Sequence, residues 1–507
     1  MRRPSRSRWS LVASALVHVL KLVVALLVLA TPLVGVWTAS SLAAYAGKAT
    51  WLPIVAGALA FPVAPLAWDA WSELRRKKKK DSRERILTFG DRLLLRTFVI
   101  NFVLLALLLA LRPSVAFTAL STRGDWMLDG RHGAFAERAR RVLFGVAGGL
   151  EWLHELSHQN RFEELAEDDP GVKPEPAPAP TATAAPLPTP TPTPAPAPTG
   201  GELPKPKPEA ERPQRAAWPY PAELHPLVRD FPADQEGSFE SVARTIQARE
   251  PDPRARIKAL HDWIADRIAY DAVALVEDKI PRQDAKSVFA ARMGVCAGYA
   301  NLFKAMAKVT GDEVVVVVGD ARTDVDEIGG GGHAWNAAKI DGQWYLIDAT
   351  WDAGHVKGRV FTKQYTTNYL MTPPEIFGVD HFPEQEQWQL RARALSRGDF
   401  MRQPMLRARF FTYGFRLERP DRSQVTVGAT FEASLDNPRG AFVLAQLTEK
   451  DAGDGELGDH CDVTPGPRIG VTCKLPRDGV YRVHLFAGPQ QYGSFEHMGT
   501  LEAVSRR

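Results

Sequence analysis

HAWNAAKIDGQWYLIDATWD, residues 333–352, reads as a β-hairpin. His333 to Ile340 is strand-like, Asp341-Gly342 is a turn, and Gln343 to Asp348 returns as a second strand. Asp-Gly between two such runs is a strong hairpin signal, because the type I′ two-residue turn has positive φ at both central positions. This loop pairs Ile340 with Gln343, and so Trp335 with Asp348. His333 lies two residues beyond Trp335, on the same face and diagonal to Asp348. The pairing therefore brings a carboxylate within reach of an imidazole. The tetraglycine Gly329–Gly332 gives the entering loop conformational freedom.

Working outward, the nearest chemistry upstream is GVCAGYANLF, residues 294–303. Its second half has helical spacing, with Leu302, Phe303 and Met306 on one face. Cys296 therefore sits at a helix N-terminus. There the dipole and free N–H groups favour a thiolate and can stabilise an oxyanion. A cysteine nucleophile needs a base, and the base needs a group to orient it. Taken alone, Cys296 reads as a buried small hydrophobe, His333 as a core histidine and Asp348 as a strand end. Together they read as a catalytic set. Helices are expected over Arg254–Tyr270 and Ala285–Met293, and a strand over Val314–Val318. No Cys/His cluster has zinc spacing, so neither metal nor cofactor is expected. The acidic loop Asp320, Asp324, Asp326, Glu327 lacks a full calcium-ligand pattern and reads as solvated.

These pieces, in this order, resemble the transglutaminase-like superfamily. The spacings are 333 − 296 = 37 and 348 − 333 = 15. The resemblance runs from Ser238 to Trp388. Asn368–Pro374, His381-Phe382-Pro383 and Trp388-Gln389-Leu390 are more similar to the kyphoscoliosis-peptidase branch than to blood-clotting-type transglutaminases. The resemblance implies an α+β papain/transglutaminase-like cysteine-enzyme domain, with Cys296 as nucleophile, His333 as base and Asp348 as orienting group. It implies acyl transfer on protein or peptide amides. Water completes the reaction in a peptidase or amidase, and an amine completes it in a transglutaminase. The peptidase-named branch favours hydrolysis. A non-catalytic envelope scaffold retaining the fold for binding is the rival, against which the intact triad argues.

The chain has 507 residues, net charge +4 and three cysteines. At about 150 residues per domain this is about three units, and a disulfide-built scaffold is excluded. Residues 1–112 read as membrane, with apolar stretches Leu11–Trp37, Leu52–Trp71 and Leu93–Leu111, each near the roughly 20 residues a span needs. Pro53, Pro62 and Pro65 suggest that the second helix is broken. Basic residues at the N-terminus and in the loop Arg75 to Arg92 place both inside. Everything after Leu111 is then extracytoplasmic, on a multi-pass protein of the plasma (inner) membrane. The run Arg75–Lys80 is explained by topology, and no nucleic-acid partner is indicated. The expected partners are the lipid bilayer and a protein or peptide substrate.

Residues 113–169 read as an amphipathic helical connector, with helical spacing from Phe135 to Leu165. Residues 170–221 are a Pro/Ala/Thr-rich linker without a packed core, a spacer between membrane and enzyme. The catalytic domain is expected over 222–395. Residues 396–507 are expected as an all-β sandwich-like domain, from alternation at Phe411, Tyr413, Phe415, Leu417 and at Tyr481, Val483, Leu485. Outside the cytosol, Cys461 and Cys473 are expected to be bridged.

Overall fold

The computed structural model describes residues 28, 30–46, 51–79, 87–129, 131, 133–155, 160–166, 218–325, 329–450 and 461–506. Its central part is built on an antiparallel sheet of β1 (Glu313–Ala321), β2 (Gly331–Ile340), β3 (Gln343–Ile347) and β4 (His381–Pro383), in spatial order β3-β2-β1-β4. The hairpin has the expected register, Ile340 opposite Gln343. Asp341 (φ 52°) and Gly342 (φ 77°) supply the turn.

Helices Pro253–Arg267 and Cys296–Thr310 pack on this sheet. The first starts where the sequence dictates. Asp252 accepts from the Ala255 N–H at 2.7 Å, and Pro253 occupies the first turn, where no donor is needed. Its residues Ile257, Leu260, Trp263 and Ile264 have no exposed surface and share a core with Leu302, Phe303 and Met306. Burying each such side chain stabilises by about 1.5–3 kcal/mol. That core fixes the helix that begins at Cys296 against the hairpin.

Leu52–Lys78 and Phe89–Leu111 are long and apolar enough to cross a membrane. Most of the first expected span lies outside the described residues, and helix is seen at 30–45. The second apolar stretch is broken at its prolines, as expected. Phe61 leaves helical geometry just before Pro62, and the helix resumes at Ala64. Polar side chains in these helices face one another. Asp69 is held by Arg92 (3.0 Å) and Arg96, and Asn101 donates to the Ala60 carbonyl at the bend. Such pairing offsets the cost of polar groups in apolar surroundings.

The connector departs from the expected helix over Phe135–Leu165. It forms Pro113–Arg123, Ala134–Gly148, Trp152–Glu155 and Phe162–Ala166. Gly148-Gly149 interrupts it, since glycine costs a helix about 1 kcal/mol per residue. The connector packs against the residues that follow the Pro-rich run. The Arg402 guanidinium donates to the Ser121 carbonyl, the Arg397 N–H to Glu151, and Arg422 pairs with Asp125 at 2.8 Å. Residues 167–217, which include most of the Pro-rich run, lie outside the described residues.

The C-terminal part is two β-sheets sharing one core, with Phe431, Leu435, Val471, Tyr481, Val483 and Leu485 buried between them. Phe411 belongs to a short helix, Ala408–Thr412, with Tyr413 capping its C-terminal end, and only the stretch from Arg416 is strand. Alternation over so few residues does not separate the two structures. Cys461 and Cys473 face each other on adjacent antiparallel strands and are disulfide-bonded.

Candidate active site

Cys296 is the first residue of its helix, with no side chain capping that end. The first amides of a helix have no acceptor one turn back within the helix, which leaves this end partially positive. The thiol itself is fully buried. His333 stands on β2, paired across the sheet with Gly319 of β1. Its Nε2 lies 2.8 Å from Asp348 Oδ2. The Cys296 thiol lies close enough to the same imidazole to act on its titration. Asp348 follows β3 directly and caps the short helix Ala349–Ala353. Its Oδ1 accepts from the N–H groups of Thr350 (2.8 Å) and Trp351 (3.2 Å). The three residues singled out in the sequence are thus one connected group.

The electrostatics follow from burial and pairing. Burial alone would lower the His333 pKa, but the Asp348 carboxylate, aided by Cys296, outweighs it and raises the value to about 9. Burial alone would raise Asp348; the His333 imidazole overrides it and holds the carboxyl well below its usual range.

A second histidine completes the group and was not assigned a role from sequence. His381 Nε2 lies 3.2 Å from the same Asp348 Oδ2, and its Nδ1 lies 2.7 Å from Asp380 Oδ1. The Tyr369 hydroxyl donates to Asp380 at 2.5 Å. His381 is caged by Trp335, Trp351 and Phe377. Burial would lower its pKa, yet Asp380 and Asp348 raise it to about 9. The HFP motif that contains it carries no local sign of this role, since contact with Asp348 arises only when β4 joins β1. His333, Asp348 and His381 also place ligand atoms within 4.8 Å of one another, a spacing that would fit a metal ion. In this arrangement those atoms already bond one another. The acidic loop contributes nothing to the site among its described residues; Asp320 is bonded to Arg397 at 2.5 Å.

A thiol at a helix start, beside an imidazole and a carboxylate on a β-hairpin, is the arrangement of a transglutaminase-like fold. Residues 240–349 match the sequence model of the transglutaminase-like superfamily. That stretch is a transglutaminase-like domain, and the relatives it is similar to include kyphoscoliosis peptidases. The chain is 31% identical over 224 residues to the kyphoscoliosis peptidase of Mus musculus, covering 43% of this chain and 34% of that protein. The human kyphoscoliosis peptidase is 30% identical over the same length, with the same coverage. Lim and transglutaminase domain protein ltd-1 of Caenorhabditis elegans is 26% identical over 197 residues, 36% of this chain and 27% of that protein. The chain thus spans about a third of the length of the curated relatives it matches. A solved structure titled "Crystal structure of a TGase" is 19% identical over 26% of this chain and 34% of its own, with a TM-score of 0.20.

Proposed function

We propose that this chain is a membrane-tethered thiol enzyme that transfers acyl groups of protein or peptide amides, acting as a peptidase or amidase. The observation that carries this reading is His333 held between the Cys296 thiol and the Asp348 carboxylate. Cys296, its proton already resting on His333, attacks the amide carbonyl as the thiolate. The helix-start amides stabilise the developing oxyanion. His333 then protonates the leaving amine, and the acyl-enzyme is released by water. Asp348 keeps the imidazole oriented throughout. Hydrolysis is preferred over amine transfer because the relatives with the longest matches are named peptidases.

The catalytic part faces the extracytoplasmic side of the plasma membrane. Three features support this: basic residues around the first and second apolar stretches, a disulfide in the C-terminal part, and the joining of Trp37 to Gly124 and Trp126 to Ser40. Those two bonds put the end of the first helix beside the segment that follows the third.

The test uses full-length protein in membranes with iodoacetamide, a thiol reagent small enough to reach a covered cysteine. Cys296 should be the labelled residue, and H333A should lose labelling. Labelling that is indifferent to His333 would defeat the catalytic reading. A C-terminal tag should be cleaved by protease added outside spheroplasts, and a protected tag would reverse the topology.

A further inference from the structure

Cys296 has no exposed surface, so no protein or peptide acyl group reaches it in this conformation. Part of what covers it comes from the membrane side of the chain. The buried cluster around the thiol contains Val295, Ala297, Ala300 and Ala334 of the catalytic part, together with Phe162, which is 2% exposed; Leu165 packs against it. Phe162 and Leu165 belong to the connector helix Phe162–Ala166, on the far side of the Pro-rich run.

This segment is fastened at both ends. Asn160 Nδ2 donates to the Gly319 carbonyl at 2.6 Å, while Asn160 Oδ1 accepts from the Phe162 N–H at 3.1 Å. Gly319 is the sheet partner of His333. At the other end, Asn301 of the nucleophile helix donates to the Leu165 carbonyl at 2.8 Å. The segment therefore runs from the strand pair that carries the imidazole to the helix that carries the thiol. Arg161 adds an exposed ion pair with Asp278 at 2.8 Å.

The catalytic part is shaped to receive it. A Cβ on Gly332, next to His333, would meet Asn160 Oδ1 at 2.6 Å, Asn160 Cγ at 3.2 Å and Phe162 Cδ2 at 3.2 Å. All three atoms belong to the covering segment. Gly332 is not among the positive-φ glycines, so its backbone does not demand glycine. The close approach of residues 160–166 does.

We propose that residues 160–166 are an intrasteric strap that closes the Cys296 site, and that substrate reaches the thiol only when the strap lifts. The inference rests on the reading of Cys296 as nucleophile. Because the strap continues into the helices that follow the apolar spans, events on the membrane side of the molecule govern access to the site.

The test is alkylation of Cys296 in full-length protein in detergent, with peptide mapping. Two reagents are compared, iodoacetamide and a maleimide carrying a long polyethylene glycol chain. In the wild type the bulky reagent should react far more slowly than the small one. F162A, which removes the cover, and G332A, which displaces it from beneath, should each speed the bulky reagent about tenfold or more. R161E, an exposed change that leaves the core intact, should speed it by a smaller factor. Thermal melts confirm that each variant is folded. Bulky labelling equally fast in the wild type and these variants would overturn the strap. The nucleophile reading is separated by adding H333A to the F162A protein. If iodoacetamide labelling does not slow, that reading fails while the strap stands. If it slows but the bulky reagent is indifferent to F162A and G332A, only the strap fails.

Discussion

Asp348 accepts from two imidazoles at Oδ2 and from two backbone amides at Oδ1, so both its charge and its position are over-determined. D348N removes the charge that holds His333 protonated. Each pKa unit lost is a factor of ten in that equilibrium, so Cys296 alkylation at neutral pH should slow by about 10- to 100-fold. H381Q should slow it less, because Asp348 keeps both amide bonds. Equal rates in D348N and wild type would contradict this ordering. Histidines also set the pH response. His261, His333 and His381 are all buried, each raised from 6.5 to about 9. For His261, burial is opposed by bonds to Asp262 and Asp352. A group with a raised folded pKa adds stability that is full below the unfolded value of 6.5 and lost as pH rises through about 9. The melting temperature should therefore fall between those limits, and fall less in H381Q. A flat profile would contradict the charged-imidazole network.

At the scale of elements, the hairpin delivers His333 and Asp348 together. Its turn depends on Gly342, whose φ of 77° suits glycine. G342V places a β-branched residue in a left-handed conformation and should cost about 1–2 kcal/mol, read by denaturant unfolding. Because the turn lies at the far end of β2 from His333, the native-state alkylation rate of Cys296 should not change. The hairpin was legible because period, turn chemistry and spacing agreed over twenty contiguous residues. The connector was not, because its apolar spacing runs on across Gly148-Gly149 while the backbone breaks there. Ala408–Thr412 was misread for the opposite reason: too few residues carried the pattern.

At the scale of the whole molecule, the connector and the folded C-terminal part form one packed unit on either side of the Pro-rich run. Asp125 is 1% exposed and is shared by Arg140 of the connector and Arg422 of the C-terminal part. Phe144 lies under the Arg402 guanidinium, 3.9 Å from its ring centroid. Burial of a shared carboxylate makes loss of one partner costly. Cleavage within 167–217 should therefore leave the two fragments together on size-exclusion chromatography in detergent. The double variant R402E/R422E should release them. Fragments that separate in the wild type would show the docking to be too weak to hold.

What the sequence alone determined was local in origin. A cysteine at a helix start, an Asp-Gly turn and alternating strands are specified by residues within a few positions of one another, so the relation of His333 to Asp348 could be derived by counting. The approach of Cys296 to that hairpin was implied by resemblance and required the shared core of Trp263, Phe303 and Met306 to bring it about. His381 and Phe162 were decided only by the tertiary structure. His381 meets Asp348 across 33 residues because β4 pairs with β1. Phe162 meets the thiol cluster across the Pro-rich run because Asn160 and Asn301 pin its segment to both walls of the site. Contacts of that length leave no period in the sequence; they exist because distant surfaces exclude water together when the chain packs.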